Sequence, residues 1–138
     1  MNEIIVNGMS FAVPLFIIAV GGIYSERSGV TNLALEGFMG AGAFFGAVFT
    51  ALTAGAFAAT SQLPMYLSLF VAMVGGALYA VVHAVLCIKF KANQVISGVV
   101  VNILAVALTS FCTSLANTKI SGTMSNKFIL GVSSRFTI

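Results

Sequence analysis

The chain has 138 residues, of which 59% are hydrophobic and 7% charged, and its mean hydropathy is +1.10. A soluble domain carries about 25% charged residues, so this composition is that of a membrane protein. With no Trp, no Asp and one His, most soluble active-site chemistries have no residues to run on. The net charge of +3 comes from six basic residues scattered over loops. They form no patch or stripe that would fit a nucleic acid, so the charge is read as topology.

The first apolar run, Ile4 to Ser25, lies between Glu3 and Glu26 and meets the roughly 20 residues that a bilayer-crossing helix needs. Pro14 inside it predicts a kink, and the Gly21-Gly22 pair predicts its end. The opening Met-Asn-Glu has neither a basic region nor a small-residue cleavage site, so no removable signal peptide is expected. Gly21 to Gly42, reading GGIYSERSGVTNLALEGFMGAG, then sets Glu26, Arg27 and Glu36 between two long apolar runs. Charge so close to membrane depth is expensive, which makes this stretch the first functional candidate; the plainer reading is a short loop at the membrane surface.

A second helix is predicted to start near Thr31 or Asn32, either of which can cap it, and to continue from Leu33 to Ala59. Glu36 then falls in its first turns, where the helix dipole favours a negative group. Gly42, Gly46, Thr50, Ala54 and Ala58 recur every four residues, a stripe that allows close helix packing. Ala59 to Pro64 reads as a turn. The third span, Met65 to Ile88, carries a matching stripe at Ala72, Gly76, Ala80 and Ala84, so these two helices are expected to pair closely.

His83 and Cys87 share a helix face but make a poor metal site without a third ligand. A buried His bonded to a neighbouring helix is the better reading. Cys87 and Cys112 lie in apolar runs and behave as small hydrophobes. After Lys89-Phe90-Lys91 a fourth span is predicted from Val95 to Ala116, with Asn102 as its deepest amide. In hydrocarbon that amide must bond another helix or face a wet cavity. The tail from Asn117 to Ile138 holds no run long enough to cross. Four spans put Arg27, Lys89 and Lys91 on one side and Lys119, Lys127 and Arg135 on the other. The short Lys89–Lys91 loop, where the positive-inside rule applies best, places the first group in the cytoplasm and both termini outside.

Two segments carry a family resemblance. Ser25 to Val30 (SERSGV), Asn32, Leu35 to Gly37 and Gly42 to Phe44 resemble the permease subunits of ATP-binding-cassette (ABC) importers of the ribose and branched-chain amino acid class. The likeness is strongest to the nucleoside and simple-sugar branch served by basic-membrane-lipoprotein binding proteins. Lys91 to Ala105, KANQVISGVVVNILA, is similar to a second family segment, with Gln94 where the family usually has Glu. Residues 5–118 are covered, taken as the N-terminal half of a permease domain, and 119–138 read as a polar tail, the start of the next loop or a truncation.

The resemblance implies an all-α polytopic protein of about four transmembrane helices in the bacterial cell membrane. It implies a permease that forms part of a solute path for nucleosides or simple sugars by alternating access and performs no covalent chemistry. ATP is hydrolysed by a partner ATPase, and the chain binds no cofactor itself. A second permease subunit, an extracytoplasmic solute-binding lipoprotein and membrane lipid complete the expected partners, with no nucleic acid. Asn32, Glu36 and Asn102 are the candidate lining residues, and Glu26 with Arg27 a candidate structural charge pair. Two other readings are a small proton-coupled four-helix transporter using Glu36 and a permease remnant that does not transport.

Overall fold

The structure is a computed structural model that describes residues 2–53, 62–122, 124, 125 and 127. Four helices make up the described chain: α1 Asn2–Arg27, α2 Leu35–Thr53, α3 Leu63–Ile88 and α4 Gln94–Ser121. No strand occurs among the described residues. All four helices are long and apolar enough to cross a membrane. The fold class is therefore the all-α, multi-pass one expected.

Helix ends differ from expectation in instructive ways. α1 runs through Gly21-Gly22 to Arg27, and Pro14 lies inside it. Two helical glycines cost about 1 kcal/mol each, less than leaving backbone groups unbonded in hydrocarbon. α2 starts later than Thr31 or Asn32, because Thr31 N–H and the Leu33 carbonyl are bonded to α4 rather than to the following turn. α3 begins two residues early at Leu63, with Pro64 in the first turn where its missing N–H is harmless. α4 extends five residues beyond Ala116 to Ser121 and ends at Gly122, whose φ is 66°. Asn117, expected in the tail, is instead a buried residue of α4 whose amide donates to the carbonyls of Ser125 and Lys127, both at 2.6 Å.

The core is formed by α2, α3 and α4, with α2 between the others and packed most extensively on α3. The predicted close pair is present. A Cβ at Gly42 would stand 2.8 Å from the Ala72 carbonyl oxygen, and Gly42 and Gly76 approach so closely that the same Cβ is 3.6 Å from the Gly76 Cα. At Gly46 a Cβ would be 3.0 Å from the Ala72 Cβ and 3.1 Å from the Ser68 oxygen. The two backbones therefore touch through glycines, as membrane helices do where no hydrophobic effect drives association. Ala54 and Ala58, the far end of the stripe, lie outside the described residues.

α3 meets α4 through polar groups. Tyr79 Oη donates to the Val101 carbonyl at 2.9 Å, and His83 Nδ1 lies 3.0 Å from Ser97 Oγ. His83 is thus a buried His bonded to a neighbouring helix, as expected. Phe38 of α2 packs against both Tyr79 and His83, with ring centroids 6.4 and 6.0 Å away. α1 stands apart from the three: none of its described side chains is buried. It approaches α2 at Gly22, where a Cβ would meet Leu35 at 3.1 Å.

Candidate functional site

Two polar regions lie along α4, one at its start and one past its middle. The first begins with the turn after α1. Ser25 Oγ donates to the Val30 carbonyl at 3.1 Å, Val30 N–H returns a bond to the Ser25 carbonyl at 3.3 Å, and Ser28 Oγ donates to the same carbonyl at 2.6 Å. Gly29 turns the chain with a φ of 83°, a conformation that costs a side chain about 1–2 kcal/mol. SERSGV is therefore a self-closed turn held by two serine hydroxyls. Glu26 and Arg27 are exposed and adjacent in helix α1, so their side chains leave it about 100° apart. Helix geometry does not bring i and i+1 face to face.

Beyond the turn, α4 holds residues 31–37 in place. Gln94 Oε1 accepts from Thr31 N–H at 2.9 Å. Asn102 Nδ2 donates to the Leu33 carbonyl at 2.7 Å, and its Oδ1 accepts from Gly37 N–H at 2.8 Å. Between them Gly98 lets the chain come near, since a Cβ there would be 3.0 Å from the Leu33 Cβ. Positions 94, 98 and 102 share one helical face, which makes α4 a rail for the connector. Asn102 thus bonds another helix, the first of the two alternatives open to it.

All three predicted path residues come to this end of the bundle. Asn32 Oδ1 accepts from Ala34 N–H at 3.0 Å, a local bond that shapes the entry to α2. Glu36 is exposed in the first turn of α2, beside an Asn102 whose amide is engaged at both ends. Because Gln94 ties the α1–α2 connector to the start of α4, Arg27, Lys89 and Lys91 belong to the same end of the bundle. Gln94, where the resemblance marked a missing charge, serves through its oxygen alone among the described residues.

The second region is a groove between α2 and α4. One section, about 280 Å³, is lined by Gly40, Ala43, Phe44, Ala47, Thr109, Ser110 and Thr113. A second hollow of about 410 Å³, lined by Asn102, Ile103, Val106, Ala107 and Ser110, all on α4, adjoins it at Ser110. Asn102 therefore borders this second hollow as well as bolting the connector. Thr109 and Thr113 donate their hydroxyls to their own helix, to the carbonyls of Ala105 and Thr109, both at 2.7 Å. Ser110, common to both sections, has no hydrogen-bond partner among the described residues. No charged side chain lines either section.

Residues 4–138 match the family described as the branched-chain amino acid transport system permease component. The chain belongs to this family. The match includes the residues after Lys119, where the motif resemblance ended. Among curated relatives, the permease is similar to the guanosine ABC transporter permease protein NupQ of Bacillus subtilis, at 41% identity over 83% of this chain and 35% of the relative. It is also 41% identical, over 80% of its length and 34% of the relative, to the nucleoside ABC transporter permease protein NupC of Lactococcus lactis. A putative glucose ABC transporter permease protein, TsgC13 of Haloferax volcanii, is 42% identical over 72% of this chain and 28% of the relative. The matched stretch spans about a third or less of the length of these relatives. No solved structure matches it. Family membership and four spanning helices make it a multi-pass cell-membrane protein.

Proposed function

We propose that this chain forms part of the solute path of an ATP-driven importer for nucleosides. The observation that carries this reading is 41% identity to a guanosine and to a nucleoside permease over four-fifths of the chain. An uncharged groove rich in hydroxyls supports it, because a carrier must hold a neutral solute by contacts weak enough to release. In this reading a partner ATPase supplies the energy, a second permease subunit completes the path, and an extracytoplasmic lipoprotein delivers the solute.

Asn102 acts at the border of the path, where its bonds to Leu33 and Gly37 fix the wall. Asn32 shapes the same connector, and Glu36, exposed at the start of α2, contacts solute or partner near the mouth. Glu26 and Arg27, exposed at the end of α1, are the structural charge pair of this reading, at the break between α1 and α2.

The test is uptake of labelled guanosine by cells expressing the complete importer, with unlabelled uridine and glucose as competitors. Guanosine uptake that uridine suppresses, that glucose leaves unchanged and that stops on ATP depletion is the expected result. Suppression by glucose alone would move the substrate to sugars, the class named for the haloarchaeal relative. Uptake that survives ATP depletion and follows the proton gradient would overturn the ATP-driven reading in favour of a carrier using Glu36.

A further inference from the structure

The α2–α4 groove has a chemistry of its own, and the role assigned to it rests on the nucleoside-import reading. Phe44 is the tenth of the nineteen residues of α2, and Ser110 lies about 24 Å along α4 from Gln94, so both sit deep in their spans. The floor between them is Gly40, Ala43 and Ala47, which present at most a methyl group. A Cβ at Gly40 would meet nothing within 4 Å, so the space beside it is open.

The polar inventory is asymmetric. Thr109 and Thr113 have given their protons to backbone carbonyls and retain lone pairs, so towards a ligand they act as acceptors. Ser110, with no partner among the described residues, can both donate and accept. One donor and three acceptors on an uncharged wall suit a molecule with several hydroxyls and no net charge. The aromatic ring at the opposite border suits a flat base, since every nucleobase has a face that packs on an aromatic side chain. An intramembrane hydroxyl without a partner is costly unless something meets it.

We propose that this groove is a nucleoside subsite in which Ser110 hydrogen-bonds the 2′- or 3′-hydroxyl of the ribose and Phe44 packs against the base. Thr109 and Thr113 accept from the remaining sugar hydroxyls. The contacts are few and neutral, so the solute moves on when the groove changes shape.

The experiment uses the complete importer in proteoliposomes with its binding protein, and guanosine and 2′,3′-dideoxyguanosine as probes. Ser110→Ala is expected to lower the efficiency of guanosine uptake about fivefold, and Ser110→Thr to restore it to within about twofold. The dideoxy analogue, which lacks the 2′- and 3′-hydroxyls and keeps the 5′-hydroxyl, is expected to be taken up equally by wild type and Ser110→Ala. A merely structural serine would depress both probes alike, and that result overturns the proposal. Phe44→Leu is expected to cost about fivefold or more for both probes, while Phe44→Tyr keeps the ring and the rate. Gly40→Val places a side chain in open space and is expected to abolish uptake while leaving the amount of assembled importer unchanged.

Ser110→Cys provides a readout that does not depend on turnover: guanosine is expected to slow its labelling by a thiol reagent several-fold, and labelling indifferent to guanosine overturns the subsite. Wild-type importer that takes up no nucleoside would sink the nucleoside-import reading itself. Wild-type uptake with unaltered Ser110→Ala and Phe44→Leu would sink only the subsite.

Discussion

α2 packs against α3 and α4 in opposite ways. Against α3 it presents glycines, and the backbones come together along Gly42, Gly46 and Gly76 with no room for a side chain. Against α4 it is held at one end, where Asn102 bonds the Leu33 carbonyl and the Gly37 N–H, and farther along it opens into a groove. The first seam is fixed by shape along its length, the second by hydrogen bonds at a point. A path that must open and close can be built on the second kind of contact, because helices joined at one end can separate at the other.

The largest effect should come from breaking the fixed seam. Gly42→Val would set a branched side chain against the Ala72 carbonyl, 2.8 Å from the Cβ position, with backbone on both sides and nothing flexible to yield. A loss of about 3 kcal/mol is expected, at the upper part of the range for overpacking, read as a lower thermal unfolding temperature of the purified protein. Gly21→Ala is the control: its Cβ meets nothing within 4 Å inside a helix, so no loss is expected and a gain of up to about 1 kcal/mol is allowed. Equal effects at the two positions would show that the α2–α3 contact is not set by shape.

Next in size is the bolt. Asn102→Leu strips the Leu33 carbonyl and the Gly37 N–H of their partners together. A cost of about 1–2 kcal/mol is expected, the upper range for hydrogen bonds between membrane helices, with faster amide exchange at Gly37 as the local signature. Asn102→Asp keeps an acceptor for Gly37 but sets a carboxylate oxygen against the Leu33 carbonyl in a membrane span, so it should lose at least as much. If exchange at Gly37 is unchanged in Asn102→Leu, the connector is held by something other than this amide.

These two contacts also mark what could be read from the sequence. The helices were legible because each is an apolar run of about twenty residues bounded by charge or turn residues. The α2–α3 pairing was legible because a four-residue spacing of Gly and Ala puts small residues on one face of each helix. His83 was legible as a tie between helices because a lone imidazole in hydrocarbon needs a partner. The bolt was not legible in detail: Gln94 and Asn102 meet backbone groups 63 and 69 residues away, and one sequence does not say which helices are neighbours. The same bonds tie Thr31 and Leu33 to α4, which is why α2 starts later than the capping residues alone suggest. Ser110 was passed over because a serine in a membrane helix ordinarily bonds its own backbone, as Thr109 and Thr113 do here.

A third test separates backbone cost from side-chain contact at the turn that feeds the bolt. A Cβ at Gly29 would touch nothing within 4 Å, so Gly29→Ala should cost only the strain of its φ of 83°, about 1 kcal/mol. Gly29→Asn should cost less, since Asn visits this conformation more readily. A loss at alanine as large as that of Gly42→Val would mean that the turn is packed against another part of the importer.

The smallest expected effect is the most discriminating, because it asks whether the start of α4 acts through charge or through geometry. Gln94 offers Thr31 N–H an oxygen, and among the described residues no bond depends on its amide nitrogen. A glutamate at 94 retains that oxygen at the same reach, so Gln94→Glu should shift stability by less than about 0.5 kcal/mol. Gln94→Leu removes the acceptor and should cost about 1 kcal/mol. The two substitutions together separate the possibilities: a negative charge that mattered here would make Gln94→Glu change uptake while stability stayed level. If Gln94→Leu alone has an effect, what this position contributes is a hydrogen-bond acceptor that keeps the connector on α4, and the end of the groove nearest the connector stays closed whatever its charge.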